Sequence, residues 1–374
     1  MNRKKVKILW RHPNFREYRV PLFDSLNSEY EIRFLLTRAS EWDKKYDHVI
    51  FCSNDGKSIW FDIRSLKTFL NELITENYEI LISSFSTSSA TFIATLVAKL
   101  RRKKVIIWEE NWIRKTGAKH KLGYLLLRYF YFLFVDAFFV CGQCQKEYLE
   151  SFGVKEKKIF VANESSPDIS QVSSREIDLG VDIKNKKIVL FMGRIIDWKG
   201  LDSLIKSFSY IEKTNKDIFL LIAGDGDYKS KCVQLAKELN LTNYKFLGQI
   251  NDLGVKSFLF QIANVVVVPS IVTSNGFEGG PIVVPEALSA ATPIVASDAI
   301  GSTLQLIDTG SNGFIFKRED SKQLAEKILL VLNSPKYESM CKAARYVYES
   351  RCDYNQLKNV FSECVNSIMN NGAS

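Results

Sequence analysis

Short apolar runs, rich in β-branched and aromatic residues, recur along the chain with room for a helix between most of them. In the first half they fall at Val6–Trp10, Tyr30–Leu36, Val49–Cys52, Glu79–Ser83, Lys104–Trp108 and Ala137–Val140. Helix-period segments lie between several of them, among them Ser88–Leu100 and Cys144–Phe152. The second half repeats the alternation at Lys187–Met192, Ile218–Ala223, Lys245–Leu247, Asn264–Val268, Pro293–Ala296 and Phe314–Phe316, then turns helical through Leu324–Leu332, Tyr337–Tyr348 and Asn355–Met369. Strands alternating with helices of this size predict parallel α/β sheets. Unbroken apolar strands such as Val265–Val268 predict a sheet covered on both faces. A Ser-rich stretch with little apolar periodicity separates the halves. The expected organisation is an N-terminal Rossmann-like domain over 1–165, a linker over 166–184 and a second Rossmann-like domain over 185–353, with a final helix at 354–374 that can pack back on the first domain. The fold class is therefore α/β, two doubly wound domains facing each other across a cleft.

The most informative segment follows the strand that ends at Val268-Pro269-Ser270. It reads Glu278-Gly279-Gly280-Pro281-Ile282, with Glu286 further on. The glycines admit a close backbone approach, and Pro281 suits the first turn of a helix whose free N–H groups attract an anion. Glu278 and Glu286 repel phosphate and are better matched to hydroxyl groups, a sugar on one side and a ribose on the other. Two cations come from Gly193-Arg194-Ile-Ile-Asp-Trp-Lys199-Gly200, at the end of the domain's first strand and the start of the next helix. A guanidinium and an ammonium there would neutralise a pyrophosphate.

These residues, with Ala223-Gly224-Asp225-Gly226, Phe246-Leu247-Gly248-Gln249 and Asn312-Gly313-Phe314, resemble the large retaining glycosyltransferase family four, "glycosyl transferases group 1", whose fold is GT-B. The resemblance covers 186–317. It implies that Arg194 and Lys199 hold the diphosphate of a nucleotide sugar, that Glu278 binds the donor sugar, and that Glu286 binds the ribose. It further implies that the backbone of Gly279, Gly280, Pro281 and Ile282 meets phosphate and sugar, and that Ile250 lies beside the base. It implies no metal and no cofactor apart from the donor substrate. Pro285 departs from the apolar residue usual before the second Glu; in a first helical turn its missing N–H costs little.

The first half follows the family only in outline. Where many members carry a Gly-Gly loop after the first strand, this chain has Arg11-His12-Pro13-Asn14-Phe15-Arg16-Glu17-Tyr18-Arg19. Either Arg16 or Arg19 reaches the cleft in place of glycine, or the segment is an exposed basic loop. Where relatives often place a His, the chain reads Trp108-Glu109-Glu110-Asn111. A carboxylate there would take a proton from the acceptor or stabilise positive charge on the sugar. Glu110 and Glu109 are nearly equal candidates, against a pair of exposed strand-end acids.

The chain has 374 residues and a formal charge of +9, and residues 1–170 hold 28 Lys and Arg against 20 Asp and Glu. The basic half suggests an anionic partner on the acceptor side. Lys119-His120-Lys121 leads into an aromatic segment that runs to Asp136 and is interrupted by Arg128, so it does not span a bilayer. It is either a core-facing helix or an interfacial one whose cations meet lipid headgroups. Seven cysteines, including Cys141-Gly-Gln-Cys144, and three histidines give no disulfide framework and little support for zinc. The N-terminal apolar run is too short for a signal peptide.

The expected function is transfer of a hexosyl unit from a nucleotide-diphosphate sugar to a lipid-linked or polysaccharide acceptor. The place expected for it is the cytoplasm, peripheral at the inner face of the cell membrane. Alternatives are a synthase with a soluble sugar or glucan acceptor, a catalytically dead scaffold, and a nucleic-acid-binding protein. The last lacks any recognisable platform of aromatic and basic residues, so no nucleic-acid partner is expected.

Overall fold

A computed structural model describes residues 5–12, 19–36, 49–51, 63–84, 89–113 and 118–370. The chain divides into two compact units, 1–162 with 354–374, and 163–353.

The first unit is built on a seven-stranded sheet of β1 (Lys7–His12), β2 (Glu31–Leu36), β3 (Val49–Phe51), β4 (Ile80–Ser84), β5 (Lys104–Glu109), β6 (Ala137–Val140) and β7 (Ile159–Val161), in the order β3-β2-β1-β4-β5-β6-β7. Every pairing is parallel. Alternation along the strands sends Ile8, Trp10, Phe34, Ile82 and Trp108 to one face. There they meet α1 (Val20–Glu29) and the chain's last helix, α12 (Tyr354–Asn370). The other face, with Leu9, Leu81, Val105 and Phe138, packs on α2 (Ile63–Thr75), α3 (Ser89–Leu100), α4 (Ala118–Phe134) and α5 (Gln143–Glu150). Phe361 of α12 lies parallel to Trp10, ring centroids 5.6 Å apart, and both are fully buried.

The second unit carries β8 (Lys187–Met192), β9 (Ile218–Ala223), β10 (Tyr244–Gly248), β11 (Val265–Val268), β12 (Ile294–Ser297) and β13 (Gly313–Phe316), in the order β10-β9-β8-β11-β12-β13. These pairings are parallel as well. In β11, Val266 and Val268 face a layer with α8 (Leu253–Ile262), α9 (Val283–Ser289) and α11 (Tyr337–Val347). Val265 and Val267 face α6 (Leu201–Thr214), α7 (Lys229–Glu238) and α10 (Ser321–Leu332). An apolar residue at every position is what two covered faces demand.

Two expectations are corrected and one strand, β7, was not anticipated. The stretch at 166–184 is not a separate linker. Ile169 and Leu179 are buried in the second unit's core, and Asp168 receives two 2.8 Å hydrogen bonds from Arg345 of α11. Burial would raise the Asp168 carboxyl, but hydrogen bonds from Arg345 and Ser170 outweigh it and hold it below its ordinary value. Next, β7 has only three residues at a sheet edge, too few to show a period. Finally, α9 begins at Val283, so Pro281 precedes the helix and is not in its first turn.

Among the described residues the cysteines form no disulfide bridge. Burial pushes the Cys144 thiol up to about 12.

Candidate active site

In a doubly wound sheet, the strand order reverses at one point, and the loops leaving the carboxyl ends of the two strands there part to form a crevice. In the second unit those strands are β8 and β11. The loop after β8 carries Arg194 and Lys199, and the loop after β11 carries Glu278, Gly279 and Gly280. The sheet therefore brings together two segments some 80 residues apart that the sequence had singled out separately.

The two loops are fastened to each other. The Ile271 N–H donates to the Trp198 carbonyl at 2.8 Å, and the Asn275 side-chain amide donates to Asp197 Oδ2 at 2.6 Å. A Cβ on Gly276 would stand 3.0 Å from the Trp198 ring, so the indole lies directly on the glycine. Gly200 adopts φ 65°, and a Cβ there would meet the Pro269 carbonyl oxygen at 2.0 Å. This clamp sets Lys199 against Glu278 as an ion pair with both side chains largely buried. Arg194, by contrast, is exposed, with no ion pair to any described residue.

The neighbouring strand ends are joined too. Gly193 N–H donates to Ala223 O at 3.0 Å, Ile195 N–H to Asp225 O at 2.8 Å, and Gly224 N–H to Gly248 O at 2.7 Å. The β10 end leads to Ile250, which is partly buried against the core face that includes Val268 and Val283. Gly280 has a reason of its own to lack a side chain: a Cβ would collide with Ser302 Oγ at 1.9 Å and approach Glu164 Oε2 at 3.0 Å. The Ser302 N–H also donates to Gly279 O at 2.8 Å, pinning the turn. Ile282 is the N-cap of α9.

Glu286, on α9, is almost completely buried and forms an ion pair with Lys256 of α8. Lys256 was not anticipated from sequence. A signal existed: it lies close behind the Asp252 N-cap, and a cation near a helix N-terminus runs against the helix dipole unless an acid meets it. Asp197, Trp198, Asn275 and Glu164 were likewise missed, because their partners are distant in sequence.

In the first unit the order reverses between β1 and β4. Arg16 lies outside the described residues, as does the rest of 13–18. Arg19 is buried just before α1. Its guanidinium donates to Glu110 Oε1 at 2.7 Å, lies 3.4 Å from His12 Nε2, and sits over the Trp108 ring at 5.0 Å. Arg19 is therefore not part of an exposed basic loop.

The two acids after β5 differ. Glu109 is fully buried, and its Oε1 accepts from the Glu110 N–H at 3.0 Å, the Asn111 N–H at 2.9 Å and the Asn111 side chain at 2.6 Å. It organises the loop. Glu110 is the partly exposed member of the pair.

Helix α4 has one side in the core and one side exposed. Phe130 and Tyr131 are buried in the core, whereas Leu125, Leu126, Tyr129 and Leu133 are exposed. The side chains of Lys119, Lys121 and Arg128 lie outside the described residues. No described helix is long and apolar enough to cross a membrane. No group of three or more His, Cys, Asp or Glu among the described residues could hold a metal ion.

Comparison with known proteins places the fold and the second unit's sequence among glycosyltransferases. Residues 175–347 match the family described as "Glycosyl transferases group 1". An uncharacterised glycosyltransferase of Haemophilus influenzae is 29% identical over 165 residues, which span 44% of each chain. A Campylobacter jejuni protein is 28% identical over 326 residues, 85% of each chain. That relative is named GalNAc-alpha-(1->4)-GalNAc-alpha-(1->3)-diNAcBac-PP-undecaprenol alpha-1,4-N-acetyl-D-galactosaminyltransferase. Among solved structures, Anabaena HepE in complex with UDP and glucose superposes with a TM-score of 0.73 over 97% of this chain and 100% of that one, at 16% identity. At that identity the likeness speaks for the fold, which is GT-B. Residues 175–347, most of the second unit, are thus similar to the glycosyl transferases group 1 family.

Proposed function

We propose that the protein transfers a hexosyl unit, with retention of configuration, from a nucleotide-diphosphate sugar to a lipid-linked or polysaccharide acceptor. The observation that carries the reading is the Lys199–Glu278 pair at the carboxyl edge of the second sheet, with Arg194 exposed in the same loop. A donor diphosphate would draw Lys199 from Glu278 and add Arg194 as a second cation. Glu278, released, would accept hydrogen bonds from the sugar hydroxyls. Lys199 and Glu278 thus each exchange one partner for another, so binding leaves neither of them unpaired. Glu286, held by Lys256, would accept from the ribose hydroxyls, with Ile250 beside the base. The backbone from Gly279 to Ile282 would meet phosphate and sugar.

In the reaction the bond between C1 of the sugar and the diphosphate oxygen breaks, and the nucleoside diphosphate leaves with the bonding electrons. Arg194 and Lys199 stabilise its charge, the role a metal plays elsewhere. The acceptor hydroxyl oxygen forms the new bond to C1 and gives up its proton. Glu110 is the acid we assign to that side, receiving the proton or facing the positive charge on the sugar; Glu109 supports its loop.

The acceptor class is supported by the undecaprenol-linked acceptor in the Campylobacter relative's name and by the exposed apolar face of α4. We assign that face to peripheral contact with an anionic membrane, on its cytoplasmic side. A screen of nucleotide sugars for binding, followed by transfer assays with lipid-linked and soluble acceptors, tests the whole. Arg194→Ala and Glu278→Ala should each lower turnover of the bound donor by at least about a hundredfold. Unchanged turnover in both would remove the donor-site assignment. Glu110→Gln should slow transfer more than donor hydrolysis, and normal transfer in that variant would exclude Glu110 as the acid.

A further inference from the structure

The carboxyl edge of the first sheet carries the Arg19–Glu110 cluster. The opposite, amino edge has a feature the reaction does not use. Between the end of α4 and the turn that enters β7 lies a recess of about 460 Å³, with Tyr129, Tyr131, Phe152 and Val154 in its wall and Lys155, Lys157 and Lys158 around it. That volume is in the range of small-molecule sites. Tyr131 and Phe152 are buried at its base, giving it an apolar, aromatic floor.

The lysines differ in their commitments. Lys158 donates to the Val135 carbonyl at 2.7 Å, at the end of α4. Burial, then the charges of Lys99, Lys155 and Lys157, hold its ammonium below the usual lysine value against the pull of Asp136. Lys155 and Lys157 are exposed and have no ion pair among the described residues. Glu156, the acid between them, pairs with Lys146 at 2.5 Å. Two unpaired cations therefore line an apolar recess together with exposed Tyr129 of α4, a helix that also exposes Leu126 and Leu133.

We propose that this recess binds one anionic membrane lipid, its phosphate on Lys155 and Lys157 and its hydrocarbon chain against Tyr129, Tyr131, Phe152 and Val154. A soluble anion would satisfy the lysines and leave the exposed surface of Tyr129 and Val154 in water, whereas an amphiphile meets both. The inference rests on the membrane contact proposed above only for the source of the ligand. It adds a discrete site, at the sheet edge remote from the reaction, to a general surface attraction.

Titration calorimetry of the full chain with dihexanoyl phosphatidic acid, below its micelle concentration, tests the site, with inorganic phosphate as the second arm. The expected result is saturable one-to-one lipid binding, with phosphate alone at least about tenfold weaker. Lys155→Glu with Lys157→Glu should weaken the lipid at least about tenfold. Val154→Trp, which fills the recess, should weaken the lipid and leave any phosphate binding unchanged. Nucleotide-sugar binding should be the same in all variants, so loss of the lipid site and failure of the donor site are separately visible. Phosphate binding as tight as the lipid, or lipid binding unchanged in the lysine variant, would overturn the proposal. Sedimentation with phosphatidylcholine vesicles containing phosphatidylglycerol supplies the membrane arm. Vesicle binding that survives in both variants would assign the contact to α4 alone and overturn the recess.

Discussion

Removing Lys256 should harm the protein far more than removing the acid it serves. Glu286 is almost fully buried on α9, whereas the Lys256 side chain retains 21% exposure at the start of α8. Lys256→Met keeps the length of the side chain and deletes the charge, leaving the Glu286 carboxylate short of its cation inside the protein. Breaking a buried pair from one side costs about 3–5 kcal/mol. Lys256's partial exposure reduces that to about 2–4 kcal/mol, because water already screens one end of the pair. Glu286→Gln is the milder change: the amide keeps the shape, and Lys256 turns its ammonium to solvent, at a cost of about 1 kcal/mol. The double variant should be close to Glu286→Gln alone, since no orphan charge remains. Urea denaturation followed by far-ultraviolet circular dichroism measures this, with a midpoint about 1 M lower for Lys256→Met at an m-value of about 2–3 kcal/mol/M. A double-mutant cycle then gives the coupling. If Glu286→Gln destabilises as much as Lys256→Met, or the coupling falls below about 0.5 kcal/mol, the pair is not what holds Glu286 in place.

Three further outcomes follow from the geometry. Gly224→Ala places a Cβ 1.9 Å from the Gly193 carbonyl oxygen and should lower stability by about 2–4 kcal/mol in the same assay. The Asp168 carboxyl is depressed in the folded protein. Its contribution is therefore present above the ordinary carboxylate value and lost as pH falls through the depressed one. The stability difference between wild type and Asp168→Asn should accordingly be constant near neutrality and vanish in acid, as urea titrations from pH 7 to pH 2.5 would record. Asp197→Ala unfastens the loop that sets Lys199 against Glu278, and should raise the donor KM several-fold while far-ultraviolet dichroism stays unchanged; an unchanged KM would show that the clamp is not needed.

Periodicity was enough to locate nearly every strand, because a parallel sheet covered on both faces writes itself as unbroken apolar runs. Lys187–Met192 and Ile218–Ala223 have the same limits in sequence and structure. The β7 edge strand and the buried course of 166–184 left no such trace. Ile169 and Leu179 are single apolar residues in a polar stretch, and only the surrounding core reveals their burial. At the proposed site, the sequence singles out Arg194, Lys199 and Glu278 because each stands beside a glycine, and Glu286 because it follows Glu278 at a fixed spacing. The Asp197–Asn275 clamp and the Lys256–Glu286 pair were not legible, since a contact between loops after different strands has no spacing to betray it. The acids after β5 were legible only as a pair. Which one turns inward depends on the Asn111 and Glu110 amides, which both point at Glu109.

The stacking of Phe361 on Trp10 has a consequence for how the protein is made. The described strands of the first sheet are all present by Val161, but one of the two helices on its Trp10 face, 354–370, lies beyond the whole second unit. At ribosomal speeds, roughly 10–40 s pass between the emergence of the sheet and that of its cover. During that interval Trp10, Phe139 and their neighbours form an open apolar surface, while the second unit can already complete itself. The covered face of the first unit is therefore completed only after the second unit has been synthesised.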